Sequence, residues 1–132
     1  MPTLPIILIV DDSENDISLL RRAFDQEGVK NDVHVCTSGA DALDYLSHAP
    51  TLPRLMLLDI NMPAMNGFEV LRRVKDHPQW RGIITVIFTT SMRPEDKAQA
   101  DALGADSFLT KPMNSDDLRM VVRHFLKEWF SE

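Results

Sequence analysis

MLLDINMPAMNG, residues 56–67, sets a carboxylate directly behind an apolar run and then uses a proline and a glycine before the chain turns polar. LMLL at 55–58 reads as a strand buried on both faces, because a short unbroken apolar run bounded by turn residues has no polar face to offer water. Asp59 then stands at the carboxyl end of that strand, where an unpaired charge is costly. The groups that compensate it must come from elsewhere in the chain.

Working outward, the same alternation of apolar run and helical spacing recurs. Residues 4–10, LPIILIV, predict a first strand, and Ser13 with Asp16 fits a capping box opening a helix through Ile17, Leu20, Ala23 and Phe24 to a stop at Gly28. DVHVCT at 32–37 predicts a second strand; Ala42, Leu43 and Leu46 predict a short helix ending before Pro50. After MPAMNG comes a helix carrying Phe68, Val70, Leu71 and Val74. ITVIF at 84–88 is a fourth strand, Pro94 suits the first turn of a helix through Ala98 and Ala102, and Gly104 suits its C′ position. SFL at 107–109 is a short fifth strand. Leu118, Val121, Val122, Phe125, Leu126 and Trp129 then give a last helix with an apolar stripe.

Five βα units imply a parallel sheet with helices on both faces, since right-handed crossovers leave few other solutions. Five strands are too few for an eight-stranded barrel. The expectation is an α/β, doubly wound, flavodoxin-like (βα)5 sheet in strand order 2-1-3-4-5, a three-layer sandwich with its site outside the carboxyl ends of the strands.

Composition narrows the function. At 132 residues and 44% hydrophobic, the chain suits one domain with one sizeable core. A net charge of −6 with no Lys/Arg block offers no field for a phosphate backbone, which argues against nucleic acid as a direct partner. Cys36 is the one cysteine; its neighbours Val33 and Val35 suggest a buried strand position, in keeping with a reducing compartment. No run approaches a membrane span and no basic region precedes IILIV, so a cytoplasmic location is the expectation.

Asp11 and Asp12 follow the first strand, Asp59 the third, Thr89 and Thr90 the fourth, and Lys111 with Pro112 the fifth. Three carboxylates at one edge repel one another, and a divalent cation removes that conflict. Hard oxygen ligands without His or Cys point to Mg²⁺ or Mn²⁺; histidines 34, 48, 77 and 124 show no compact ligand spacing. Asp59 is the candidate nucleophile, because carboxylates form covalent phosphoryl intermediates. Lys111 and the metal would neutralise charge on the transferring group, and Thr89 would donate a hydrogen bond to it. Each residue alone has a plainer reading: Asp11 and Asp12 as caps, Asp59 as a loop carboxylate, Lys111 as a surface lysine, Thr89 as a strand hydroxyl. Together those readings need separate coincidences at one edge. The chain has no GxxxxGK[ST] and no GxGxxG after the first strand, against a nucleotide site. Asn61 stands where a phosphohydrolase of the paired-aspartate kind would carry its second aspartate.

IILIVDDS (6–13), LLDINMPAMNG (57–67), VIFTTS (86–91) and GADSFLTKP (104–112), in this order and spacing, resemble the response regulator receiver domain of two-component signalling over about residues 5–128. Among receivers the chain is most similar to single-domain ones, including those partnering phytochrome-type kinases. The resemblance implies that Asp59 accepts a phosphoryl group from a phosphohistidine of a sensor histidine kinase or phosphotransfer protein. It implies that Asp12 and Asp59 bind Mg²⁺, Asp11 largely through water, with the backbone carbonyl of Asn61 completing the protein ligands. It also implies that Lys111 binds the phosphoryl group, that the Lys111–Pro112 bond is cis, and that Thr89 and Phe108 form a switch pair in which Phe108 enters space the Thr89 hydroxyl vacates. The responding surface would be the fourth helix, fifth strand and fifth helix.

The chain departs from the family pattern at Phe108, where relatives often carry tyrosine, and at Thr85, where they often carry proline. Asn61 and Ser91 occupy the positions that tune phosphoryl lifetime in the family. Residues 1–132 are expected to form a single receiver domain without an output domain, signalling through contacts with a downstream protein. Trp129 and Phe130 cannot both face one core from a helix, leaving an exposed aromatic or a partner contact such as a homodimer. A receiver-like binding module with vestigial phosphorylation, and a small Mg²⁺-dependent phosphatase, are the alternatives.

Overall fold

Ten elements alternate along the chain in the computed structural model, which describes residues 4–130: β1 (Ile7–Val10), α1 (Glu14–Gln26), β2 (Val33–Cys36), α2 (Gly39–His48), β3 (Leu55–Leu58), α3 (Gly67–Asp76), β4 (Ile84–Thr89), α4 (Pro94–Ala102), β5 (Ser107–Thr110) and α5 (Ser115–Trp129). The strands form one parallel sheet in the order β2-β1-β3-β4-β5, as the repeated βα pattern predicts. β1 and β3 are buried at every position, which is why their sequences are apolar without alternation.

The pleat divides the core in two. Leu8, Val10, Met56, Leu58 and Ile87 face a layer built by α2, α3 and α4, through Ala42, Leu46, Val70, Leu71, Val74 and Ala100. Ile7, Ile9, Leu55, Leu57, Val86 and Phe88 face α1 and α5, through Leu20, Phe24, Val122 and Phe125. Side chains two apart share a face, so one register carries both cores. Cys36 is buried in the first cluster, and burial, with Asp41 and Asp44, pushes its thiol up to about 11, so it packs as an apolar group.

Ser13 caps α1, as the sequence predicts, and Ser38, Asn66 and Asn114 cap α2, α3 and α5 in the same way, each accepting from the backbone N–H three residues on. Pro94 opens α4, and Gly28 and Gly104 follow α1 and α4 with φ of 74° and 94°. Gly67 has a different reason: a Cβ there would collide with the backbone carbonyl oxygen of Asp59. The α3 start can therefore close against the end of β3 only with glycine, and the Gly67 N–H donates to Ile60 O at 2.9 Å.

Two expectations are corrected. Trp129 and Phe130 both pack against the α1–α5 core cluster. Phe130 lies beyond the helix as its C-cap (φ −126°, ψ −3°), so the chain turns and the helical spacing argument no longer applies to it. Arg54 holds this end, donating from Nε to Trp129 O at 3.0 Å with its guanidinium over the Phe130 ring. The Lys111–Pro112 bond is trans, as is every peptide bond among the described residues. The trans isomer is the default by about 0.5–1 kcal/mol for a bond preceding proline, and Lys111 reaches its carboxylate partners without the cis form.

Thr85 is fully buried, and its N–H donates to Asp106 Oδ2 at 2.8 Å, a bond that a proline there could not make. Among the described residues no helix is long and apolar enough to cross a membrane.

Candidate functional site

The carboxyl ends of β1, β3 and β5 bring Asp11, Asp59 and Lys111 together. The sheet ladder continues one step past β1 and β3, with Asp59 N–H donating to Val10 O at 2.9 Å and Asp11 N–H to Cys36 O at 3.1 Å. Each carboxylate thus begins from a fixed backbone. Lys111 is fixed likewise, its N–H donating to Thr89 O at 2.7 Å. Asp11 and Asp59 are 5% and 7% exposed, too buried to be left without partners.

Those partners are partly local. Asp11 Oδ1 accepts from Ser13 N–H at 2.9 Å, and Asp59 Oδ1 from Ile60 N–H at 2.8 Å. Their other oxygens face Lys111 Nζ, at 2.6 Å for Asp11 Oδ2 and 3.4 Å for Asp59 Oδ2. Burial pushes the Asp11 carboxyl above its usual range, and the Lys111 hydrogen bond only partly offsets it. Burial would lower the Lys111 amine, but the bonds to Asp11 and Asp16 and the charge of Asp59 outweigh it and hold the ammonium above the ordinary lysine range.

Asp12 is exposed, yet one of its carboxylate oxygens lies within 4.8 Å of ligand oxygens of both Asp11 and Asp59. An oxygen-only donor set with surplus negative charge fits a divalent cation of the Mg²⁺ or Mn²⁺ class. The histidines are spent elsewhere: His34 stacks on Tyr45, His77 on Trp80, His124 meets the edge of Trp129, and His48 pairs with Asp44. Asn61 is exposed on the loop after β3, two residues past Asp59.

Thr89 and Phe108 are placed differently from the charged group. Phe108 is paired with Ile87 in the β4–β5 register, so it and Thr89 share the α2–α3–α4 face as diagonal neighbours. Phe108 is half-buried and packs on that cluster. Thr89 is fully buried, and its Oγ1 accepts from Ser91 N–H at 3.3 Å. Ser91 Oγ donates to Asp96 Oδ2 at 2.6 Å and accepts from Arg93 N–H at 3.2 Å, so its hydroxyl serves the start of α4.

Asp16 is the residue that sequence reasoning missed. The capping-box reading is half right: Ser13 Oγ accepts from Asp16 N–H at 3.2 Å. The reciprocal bond is absent, because Asp11 already takes the Ser13 N–H. The Asp16 carboxylate turns to Lys111 instead, with Oδ2 at 2.9 Å from Nζ. The available signal was a third aspartate one helical turn past Asp12 on a helix that begins at the site.

Comparison with known proteins agrees with this geometry. Residues 7–123 match the family model for the response regulator receiver domain. The Probable methanogenesis regulatory protein FilR2 of Methanothrix harundinacea is 34% identical, over 94% of this chain and 83% of its own length. Response regulator Rcp1 of Synechocystis is 30% identical over 94% of this chain and 88% of its own length, and its crystal structure in the Mn²⁺-bound form superposes with a TM-score of 0.87. The phosphorylated cyanobacterial phytochrome response regulator RcpA superposes with a TM-score of 0.90 at 30% identity, over 96% of this chain and 94% of its own. With a family match across most of its length and an acidic pocket at the carboxyl edge of its sheet, this chain belongs to the response regulator receiver domain family, the phosphoacceptor modules of two-component signalling.

Proposed function

We propose that Asp59 is the phosphoacceptor. The observation that supports it is the meeting of Asp59 Oδ2 with Lys111 Nζ, at the end of a fully buried strand and beside Asp11 and Asp12. In the transfer, a carboxylate oxygen of Asp59 bonds to phosphorus while the P–N bond of a phosphohistidine breaks. The electron pair returns to the imidazole nitrogen, and the donor is a histidine kinase or a phosphotransfer protein. Asp12, Asp59 and the Asn61 carbonyl, with Asp11 beside them, would hold Mg²⁺, which when bound would supply charge neutralisation to the transferring phosphoryl group.

The chain's own groups do the remainder. Lys111 meets the new negative charge with a nearly dehydrated ammonium, in a setting where Coulomb terms are stronger than in water. Thr89 gives up the Ser91 N–H and donates its hydroxyl proton to a phosphoryl oxygen, and Phe108 moves into the space left on the shared face. The β4–α4 loop, tied to α4 by Ser91 and Asp96, carries that change outward. The output is a protein contact at α4, β5 and α5, and hydrolysis of the acyl phosphate, with Asn61 and Ser91 flanking it, resets the domain.

Intact-mass measurement after incubation with Mg²⁺ and acetyl phosphate tests this. The expected result is a single phosphoryl adduct that requires Mg²⁺ and is lost in Asp59→Asn. An adduct of equal yield in Asp59→Asn, or none in the unaltered protein, would sink the assignment.

A further inference from the structure

Lys111 Nζ has three carboxylate oxygens around it, from Asp11 at 2.6 Å, Asp16 at 2.9 Å and Asp59 at 3.4 Å. An ammonium has three N–H donors, so this set satisfies it. The three acids are not equivalent. Asp11 and Asp59 belong, with Asp12, to the group that can hold a cation, and Asp16 does not. A divalent ion there draws on the charge of Asp11 and Asp59 and repels an ammonium a few ångströms away. Asp16 is the one contacting carboxylate whose charge stays with Lys111.

Asp16 is also held independently of the pocket. It lies in the first turn of α1, and its N–H is committed to Ser13 Oγ. Its side chain is free to reach Lys111 because Asp11 has taken the N–H to which a capping-box acid would return.

We propose that Asp16 is a positioning residue for Lys111, holding the ammonium in the pocket when metal and phosphoryl group have claimed Asp11 and Asp59. The inference rests on the phosphoacceptor reading of the site. Asp16 lies outside the group of carboxylates that can hold a cation, so its removal should act mainly through Lys111.

The test uses the full chain and Asp16→Asn, which keeps size and removes charge. Two readouts are taken: the initial rate of adduct formation from acetyl phosphate across a Mg²⁺ titration, and the ¹H–¹⁵N signal of the Lys111 side-chain ammonium in Mg²⁺-loaded protein. The expected result is a visible ammonium signal in the unaltered protein that is lost in Asp16→Asn. The rate at saturating Mg²⁺ should fall roughly tenfold, as is usual for groups that orient a site residue, while the Mg²⁺ midpoint stays unchanged. Asp16→Glu should recover part of both. A persistent ammonium signal in Asp16→Asn, an unchanged rate, or a Mg²⁺ midpoint that moves with the rate would overturn the proposal, as would an ammonium already too mobile to detect before mutation. If neither protein forms an adduct, the phosphoacceptor reading fails, and the ammonium signal still decides whether Asp16 holds Lys111.

Discussion

Charge is balanced at the amino end of the sheet and unbalanced at the carboxyl end. At the amino end Lys75 Nζ meets one carboxylate, Asp106 at 3.1 Å, and the carbonyl oxygens of Arg81 and Ile83. Glu27 joins Arg119 and Arg123 across α1 and α5, and Arg54 caps α5 through Trp129 O. These contacts close the ends of elements and leave no local surplus of negative charge. At the carboxyl end one ammonium faces Asp11, Asp16 and Asp59, with Asp12 alongside. The two half-buried lysines look alike in burial, yet one completes a structure while the other leaves a deficit that a cation and a transferable anion can use.

The largest effect should come from breaking both lysines with the same substitution. Lys111→Met strands buried carboxylates and should cost roughly 3 kcal/mol without metal, the scale of removing one partner from a buried ion pair. Mg²⁺ should restore most of that loss, because it neutralises the same acids. Lys75→Met should cost about 1–2 kcal/mol, since Asp106 keeps the Thr85 N–H. Its response to Mg²⁺ should equal that of the unaltered protein, about 2.7 kcal/mol at roughly 100-fold excess over the dissociation constant. Urea unfolding with and without Mg²⁺ measures all of this. Equal metal responses in the two variants would show that the two ends do not differ as described.

A pH series sharpens the comparison at smaller amplitude. Hydrogen bonds from Arg123 and Arg119 hold the Glu27 carboxyl below its ordinary 4.5. A carboxyl lowered in the folded state contributes stability that is present above 4.5 and lost as pH falls through the lowered value. Asp11 has the opposite sign: burial raises it from 3.8, so its contribution declines as pH rises from 3.8 through the raised value. Glu27→Gln should therefore flatten the acid side of a plot of thermal midpoint against pH. An acid limb as steep as that of the unaltered protein would remove Glu27 from the account.

Much of this contrast was legible in the residues. Apolar runs ended by Asp11, Asp59 and Thr89, with the shorter SFL before Lys111, carried the strands and the edge at which the site forms, because burial on two faces leaves little else such a run can be; the strand order came from the doubly wound arrangement that repeated βα units imply. Side-chain direction was less legible. Asp16 was absorbed into a capping box because spacing predicts the N–H bond to Ser13 Oγ but not the competitor for the reciprocal one. Trp129 and Phe130 were misplaced because the helical period was carried one residue past the point where the helix stops. The bond from the Ser91 hydroxyl to Asp96 depends on where α4 starts, which no local pattern reveals.

Backbone strain shows the same asymmetry, and it supplies the smallest effect. The left-handed residues of the amino end are glycines, Gly28 at φ 74° and Gly104 at φ 94°. At the carboxyl end the corresponding conformation falls on Ala64, at φ 66°, in the loop between Asp59 and α3. A Cβ in that region costs about 1–2 kcal/mol, partly offset by the greater freedom a glycine has in the unfolded chain. Ala64→Gly should thus raise the unfolding free energy by about 0.5–1 kcal/mol. Gly28→Ala should lower it by about 1 kcal/mol through conformation alone, since an added Cβ there meets nothing within 4 Å. Denaturant midpoints of the two variants give the comparison directly. A loss of stability in Ala64→Gly would mean that the alanine methyl is packed favourably enough to outweigh its strained backbone, and the asymmetry would then be one of charge alone.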